Sequence, residues 1–492
     1  MATLVQTVQA ESMDRRLHEA VVRCQSKAVQ WNAPALLCFS FPLSRLDPWS
    51  LWGHELGTVG TRVAWLDGAQ NRCTLAAGVV DEFHLQGPER FTQGQIYWAK
   101  LAQRRVSVVL DGCSEDEAAG PLGFVGFAFD PTSKPGDERW RAWPNGMIRI
   151  PEHMVTRGSD DVVTGRVIRW VRADDKPADV VSDVRHQWTR MHGATPSAPA
   201  YLAQEPTTVA LQAVETASDW VVRVAEATTS IAEQNTTADG LSKVVLARAA
   251  RLQAPEGQRF DPLATVRTLR RQHPGAYCFA IEQTDGSCFV GASPETLVRV
   301  NGRHVETHAL AGTAPRGADA KQDQDLGQAL LESVKDRSEH AVVAHSVEAS
   351  LAPLCSELHI ASEPRLVRLP QVQHLATTVE GRLYEPGQVL MVAEQLHPTP
   401  AVGGWPRAAA AQWLAERESL DRGWYAGGIG WLSPEGDGVL SVAIRSALLR
   451  GAEATAFAGA GIVQASDPAA EWSETELKLS TIRTALQRGN PE

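Results

Sequence analysis

Short apolar stretches alternate with turn-forming residues across the first two hundred positions of the chain. Residues 63–65, 96–101 and 106–110 have the aliphatic and aromatic content of strands. Residues 123–130, GFVGFAFD, predict a buried strand thinned by glycine, and 146–150 a further one. A stretch rich in Pro, Ala and Thr at 195–208 marks a linker. Leu211, Val214, Ala217, Val221 and Ala225 recur at spacings of three and four, which predicts a long helix over 209–234. From residue 241 the pattern changes. Strands are expected at 242–252, 278–282 and 288–292, the last two joined by Thr284-Asp285-Gly286-Ser287. Strands at 296–300 and 303–307 flank Asn301-Gly302, a strong hairpin signal. A long helix is predicted over 323–351, strands near 365–369, 427–432, 439–448 and 454–459, and a closing helix over 469–487. Strands joined by hairpins, with helices in blocks, point to an α+β fold with antiparallel sheets rather than a doubly wound parallel sheet. Sequence character divides the chain into residues 1–205, mostly strands, and 206–492.

Composition narrows the class. The 492 residues are 43% hydrophobic and 21% charged, the balance of a globular protein, which excludes disordered, collagen-like and coiled-coil chains. The formal charge of −11 leaves no overall basic field, so no nucleic-acid partner is expected. Seven cysteines lie far apart with no CxxC pair, so neither a disulfide framework nor a zinc site is suggested. The N-terminus has no basic segment leading into an apolar one, and no apolar run approaches the ~18 residues of a spanning helix. A cytoplasmic location with no membrane partner follows as the expectation.

Several residues could carry chemistry. Asp336 and Glu339 in LLESVKDRSEHAVV, and Glu471 and Glu474 in EWSETELKLS, are i, i+3 pairs, with Lys478 one turn beyond the second. Two helices each offering a carboxylate pair suit a hard cation such as Mg²⁺; equally, they read as solvated helix faces. Lys243 falls on the strand face of Val245 and Ala247, where small apolar neighbours would desolvate it toward use as a base; a strand-end lysine reaching water is the plainer reading. Glu295 leaves a buried strand after Ser293-Pro294 and could be a raised-pKa acid or a turn residue. In FAGAGIV, Gly459 to Gly461 would let backbone N–H groups approach an anion, and LAGT (310–313) could do the same; either could be an ordinary turn. FAGAGIV is not GxGxxG, because Gln464 stands where the third glycine would be, so a dinucleotide site is a poor fit. Arg445 interrupts the strand SVAIRSALL, either at a sheet edge or aimed at a carboxylate.

Taken in order, SKVVLAR, GASPETLV, LAGT, KDRSEH, HLATTVEG, LHPTPAVGG, RGWYAGGIGW, AIRSALL, FAGAGIV and EWSETELKLS closely resemble the chorismate-utilising enzymes, densely over 241–488. GFVGFAFDP and WPNGMIRIP extend the resemblance thinly into the first half, toward the menaquinone-type isochorismate synthases. The resemblance implies one intertwined α+β unit of the anthranilate synthase component I type: two antiparallel sheets flanked by helices, with the active site between them. It implies Glu339 and Glu474 as Mg²⁺ ligands with Asp336 and Glu471 in support. Tyr425, Arg445, Lys478 and the backbone of Gly459, Ala460 and Gly461 match carboxylate-binding positions, and His374, Gly312 and Thr313 ring-binding positions. Lys243 would be the base and Glu295 the acid.

The resemblance also separates water users from ammonia users. Aminodeoxychorismate synthases carry Lys before Gly-Thr where this chain has Ala311, and anthranilate synthases lack a lysine at the place of Lys243. No amidotransferase segment is fused, and no glutamine amidotransferase subunit is expected. Chorismate is thus the expected small-molecule partner, Mg²⁺ the expected cofactor, and isochorismate the expected product. A salicylate synthase is the alternative, with the ammonia users behind it.

Overall fold

Two sheets organise this computed structural model, which describes residues 2–43, 48–51, 61–113, 120–132, 138–193, 210–235, 239–368 and 372–488, the side chains of 2–11, 50, 51, 210, 211, 335, 339 and 488 excepted. Among the described residues the larger sheet has thirteen strands. Its order starts Ala210–Ala213, Lys243–Gln253, Glu453–Ile462, Ser446–Arg450, Cys288–Ser293, Tyr277–Glu282. It continues Val63–Asp67, Arg72–Ala77, His153–Arg157, Val163–Val171, Ala35–Pro42, Arg105–Val109, while Gly404–Trp405 pairs separately with Lys243–Gln253. The smaller, of ten strands, runs Cys355–Ile360, Val372–Leu383, His304–Pro315, Thr296–Asn301, Gly438–Val442, Gly428–Leu432, Gly123–Phe127, Gly146–Ile150, Asp81–His84, with Arg365–Arg368 on Val372–Leu383. Both sheets therefore draw strands from either side of residue 205. Pairing is antiparallel apart from Ala35–Pro42 beside Arg105–Val109, which run parallel.

The sheets face each other across the main core. Trp65, Phe279 and Phe289 of the larger sheet meet Phe124, Phe127 and Leu440 of the smaller. Trp140 is stacked on Phe457, with centroids 5.7 Å apart, and Phe457 in turn on Tyr425 at 5.2 Å. Burial of such large apolar areas is the main stabilising contribution. Helices cover the outer face of the larger sheet. Pro262–Gln272 and Pro468–Arg488 close one cluster through Leu269, Ile482 and Leu486; Ala217–Gln234 and Arg407–Arg417 close another through Trp220, Ile231 and Trp413. Among the described residues no helix is long and apolar enough to cross a membrane.

Several expectations are corrected. The first half is not mostly strands: it holds helices Ala2–Trp31, Arg90–Arg104 and Pro177–His192. Residues 96–101 belong to the second of these, whose buried Phe91, Gly94, Trp98 and Leu101 follow the helical period rather than the strand period. The helix expected over 209–234 is a strand, Ala210–Ala213, and then a helix, Ala217–Gln234, started by a Thr216–Asp219 capping box. Its buried face is Trp220, Val224, Ala227 and Ile231, while Val214 and Val221 are exposed. The helix expected over 323–351 breaks at Ser333, whose ψ of 111° is extended and whose hydroxyl caps Val334–Leu351 by accepting from Asp336 N. The strand expected over 439–448 is two strands in different sheets, Gly438–Val442 and Ser446–Arg450. Conversely, LAGT and all of FAGAGIV but its final Val463 are not loops: they lie in the strands His304–Pro315 and Glu453–Ile462. The 195–208 linker lies outside the described residues.

Candidate active site

A cavity of about 240 Å³ opens between the sheets, and both sheets and two helices supply its wall. Lys243 and Val245 come from the start of the Lys243–Gln253 strand, and Gly459 and Gly461 from the strand beside it. Ala311, Gly312, Thr313 and His374 come from the smaller sheet; Asp336 lies in the first turn of Val334–Leu351, and Glu471, Glu474 and Lys478 on Pro468–Arg488. Glu295, Tyr425 and Arg445 complete the set. Sequence reasoning thus singled out residues that the fold brings together, with two exceptions. Ala460 packs on the opposite strand face against the Trp220 and Val224 cluster. The side chain of Glu339 lies outside the described residues.

The glycines lie in strands rather than in a turn, and their missing side chains make room for neighbours. A Cβ on Gly461 would come within 2.8 Å of Lys243 Cε and 3.3 Å of its Nζ, so the missing side chain makes room for the lysine. A Cβ on Gly459 would sit 3.0 Å from the Tyr425 hydroxyl, and the Gly459 carbonyl accepts from Lys478 Nζ at 2.8 Å. Gly312 occupies a bulge in its strand at φ +73°, a conformation that favours glycine, and lies against Asp336.

Glu295 and Arg445 stand where the chain passes from one sheet to the other. Glu295 follows Cys288–Ser293 of the larger sheet and precedes Thr296–Asn301 of the smaller; Arg445, at φ 51°, lies between Gly438–Val442 and Ser446–Arg450. Two backbone hydrogen bonds stitch the crossings together: Val442 N donates to Glu295 O and Ala292 N to Arg445 O, each at 3.1 Å. Glu295 is 6% exposed. Burial pushes its pKa up to about 7, against the opposing pull of the Thr399 hydroxyl, which donates to Oε1 at 3.4 Å, and of Arg445, Lys243 and Lys478. The carboxyl can thus carry a proton near neutrality.

The neighbours form a charged surround. Burial lowers the Arg445 pKa, opposed by Tyr425, Glu474 and Glu295. It also pushes the Tyr425 hydroxyl up to about 12 and, with Arg445 and Lys478 nearby, the His374 imidazole down to about 4, so His374 is neutral. His374 Nδ1 lies 3.2 Å from the Gly312 carbonyl and 3.0 Å from Thr313 Oγ1. Donation to that carbonyl assigns the proton to Nδ1 and leaves Nε2 as an acceptor. Burial alone would raise the Glu474 pKa, but Lys478 Nζ, 2.5 Å from Oε1, together with Arg445 and His374, holds it below the usual carboxylate value.

Asp336, Glu471 and Glu474 present only oxygen donors to the cavity, the chemistry that a hard divalent cation takes. Among the described residues no three acidic, imidazole or thiol groups converge tightly enough to hold a metal by themselves. Two contributions escaped the sequence reading. Thr399, in the quoted LHPTPAVGG, touches the acid, and Arg422, in RGWYAGGIGW, bonds cavity backbone at Val245 and Val402. Both motifs pointed at their neighbourhoods without distinguishing these side chains.

Comparison with known proteins gives consistent matches along the whole chain. The chorismate binding enzyme family profile matches residues 20–487. The chain is 36% identical over 483 residues to the salicylate biosynthesis isochorismate synthase of Pseudomonas aeruginosa, across 94% of this chain and 93% of that protein. It is 31% identical over 478 residues to isochorismate synthase MenF of Bacillus subtilis, across 96% of this chain and 98% of the other. Among solved structures, the menaquinone-specific isochorismate synthase MenF from Escherichia coli aligns with a TM-score of 0.73 and 25% identity, over 95% of this chain and all of that one. Anthranilate synthase component I from Streptococcus pneumoniae shares the fold, with a TM-score of 0.64 at 21% identity over 90% of this chain and 98% of its own.

Proposed function

Because this chain belongs to the chorismate binding enzyme family, we propose that it is an isochorismate synthase, an isomerase that adds water at C2 of chorismate and releases the C4 hydroxyl. The observation that carries this reading is the placement of Lys243 and a buried, proton-retaining Glu295 in one cavity. The names borne by its full-length relatives support it.

In this reading Arg445, Lys478 and Tyr425, with the backbone of Gly459–Gly461, receive the enolpyruvyl carboxylate. His374, Gly312 and Thr313 border the ring. Lys243 takes a proton from a water whose oxygen bonds to C2. The ring double bonds shift, the C4–O bond breaks, and Glu295 gives its proton to the departing hydroxyl, which leaves as water. One water is consumed and one released, and because the two isomers are close in energy the reaction runs both ways and stops at a mixture. A Mg²⁺ ion held by Glu339 and Glu474, with Asp336 and Glu471 in support, would offset the charge of the ring carboxylate among these acidic groups. Ala311 is small and carries no amine, so no side chain there competes with water at C2.

The test is to incubate the purified protein with chorismate, Mg²⁺ and excess ammonium at mildly alkaline pH and separate the products. Isochorismate without salicylate or amino-substituted product is expected. Mainly amino-substituted product would overturn the water-user assignment, and salicylate formed without a second enzyme would make the protein a salicylate synthase. Glu474→Gln and excess EDTA should each abolish turnover; full activity under both would end the metal assignment.

A further inference from the structure

Among the described residues, the outer edge of the Lys243–Gln253 strand, away from Glu453–Ile462, is covered by other strands only at its two ends. Gly404–Trp405 pairs with Lys243 and Val244, and Ala210–Ala213 with Ala250–Gln253. Val245 N donates to Gly403 O at 3.0 Å, and Val214 N to Ala249 O at 3.3 Å. Between these ends, side chains stand in for a strand. Val245 O accepts from Arg422 Nη2 at 2.6 Å, Ala247 N donates to Glu418 Oε2 at 3.0 Å, and Ala247 O accepts from the Arg223 guanidinium at 3.2 Å. Arg422 and Glu418 are joined by contacts of 2.5 and 2.9 Å, and their side chains are only 3% and 5% exposed.

The same guanidinium reaches further. Arg422 Nη1 donates to Val402 O at 2.9 Å. Val402 belongs to a turn in which Val402 N and Gly403 N both donate to Thr399 O, and the Thr399 hydroxyl touches Glu295. One buried cation therefore spans the strand that begins with Lys243 and the turn that contacts Glu295. Burying an ion pair is costly in solvation and gives weak net stability, so its value lies in fixing position.

We propose that Arg422 and Glu418 are positioning residues that set the place of Lys243 relative to Glu295. This rests on the reading of Lys243 as base and Glu295 as acid. Neither side chain lines the cavity; the pair acts through the backbone of Val245, Ala247 and Val402.

The experiment uses the full chain and two variants, Arg422→Lys and Glu418→Gln, with two readouts. In turnover of chorismate, kcat should fall by about 10²-fold, the scale of an ångström-level misplacement, with KM little changed. In the second readout, pH-dependent competitive labelling of lysine amines by acetic anhydride, followed by mass spectrometry, should change at Lys243 and stay as in the wild type at Lys100. Unchanged Lys243 labelling in both variants would overturn the proposal. So would an activity loss that merely tracks the fraction of unfolded protein by circular dichroism, because the pair would then be structural. Labelling needs no turnover, so a wild-type protein inert toward chorismate would overturn the proposed function while leaving the positioning result to stand or fall separately.

Discussion

Lys243 and Glu295 line one cavity, yet they are built into unlike surroundings. Glu295 lies on a crossing between sheets that is bonded through the backbone to a second crossing at Arg445. Its carboxyl is sealed in, and burial governs its proton affinity. Lys243 opens a strand, lies over a glycine, and belongs to an edge completed by side chains. Glu295 is tuned by what surrounds it, and Lys243 is defined by where it is placed. Disturbing burial should therefore act on the pH response of the enzyme, whereas disturbing placement should act on its rate.

The bluntest way to break this contrast is to remove each group. Glu295→Gln and Lys243→Ala should each lower kcat by ~10²–10⁴-fold with smaller changes in KM. Near-normal kcat in either would remove that residue from the chemistry. Their stabilities should differ. The folded-state pKa of Glu295 is raised from 4.5 to about 7, so wild-type stability falls as pH rises from 4.5 to about 7 and stays lowered above that. Glu295→Gln should then melt higher than wild type at pH 8, and the difference should vanish at pH 4, as read by thermal denaturation.

A finer cut tests placement alone. Gly461→Ala puts a methyl 2.8 Å from Lys243 Cε, the movable end of a side chain, so kcat should drop by about 10²-fold with little change in melting temperature. Gly459→Ala meets the Leu246 carbonyl at 2.9 Å, fixed backbone, and should lower the melting temperature as well. If the two alanines behave alike, the glycines serve the strand rather than the lysine.

The smallest expected effect probes the hydrogen bond that opposes burial. Only protonated Glu295 can donate, so kcat should decline as pH rises through about 7. The Thr399 hydroxyl favours the carboxylate, and Thr399→Val should move that decline to higher pH while leaving the plateau rate nearly intact. A shift to lower pH would contradict the stated cause.

Much of this was legible in the sequence through the ordered motifs that carry the family resemblance. Lys243, Glu295, His374, Arg445 and Glu474 all reach the cavity. What escaped has physical reasons. SVAIRSALL has strand-forming residues throughout and no glycine at the turn point, so nothing marks the positive φ at Arg445 where one sheet is exchanged for the other. The face of Ala217–Gln234 was misread because Val214 and Val221 fit a helical period while Trp220 fixes the buried side. ERESLDRG reads as a solvated run of charges, yet Glu418 and Arg422 are buried because the backbone of Ala247 and Val245, 171 and 177 residues away in sequence, takes them as partners. The carboxylates were visible as i, i+3 pairs, but the break at Ser333 that starts the Asp336 helix was not.

The order of strands also bears on how the protein comes into being. Between the Lys243 strand and the strand that leads to Glu295 lie two others, Glu453–Ile462 and Ser446–Arg450, both from near the end of the chain. On the ribosome, Lys243 and Glu295 emerge long before the two strands that set their separation. Pairing between such distant segments is slow to form, since loop closure precedes any reward from contact. The nascent polypeptide should therefore remain inert toward substrate until synthesis is almost complete, with the chemistry assembled in the last folding step.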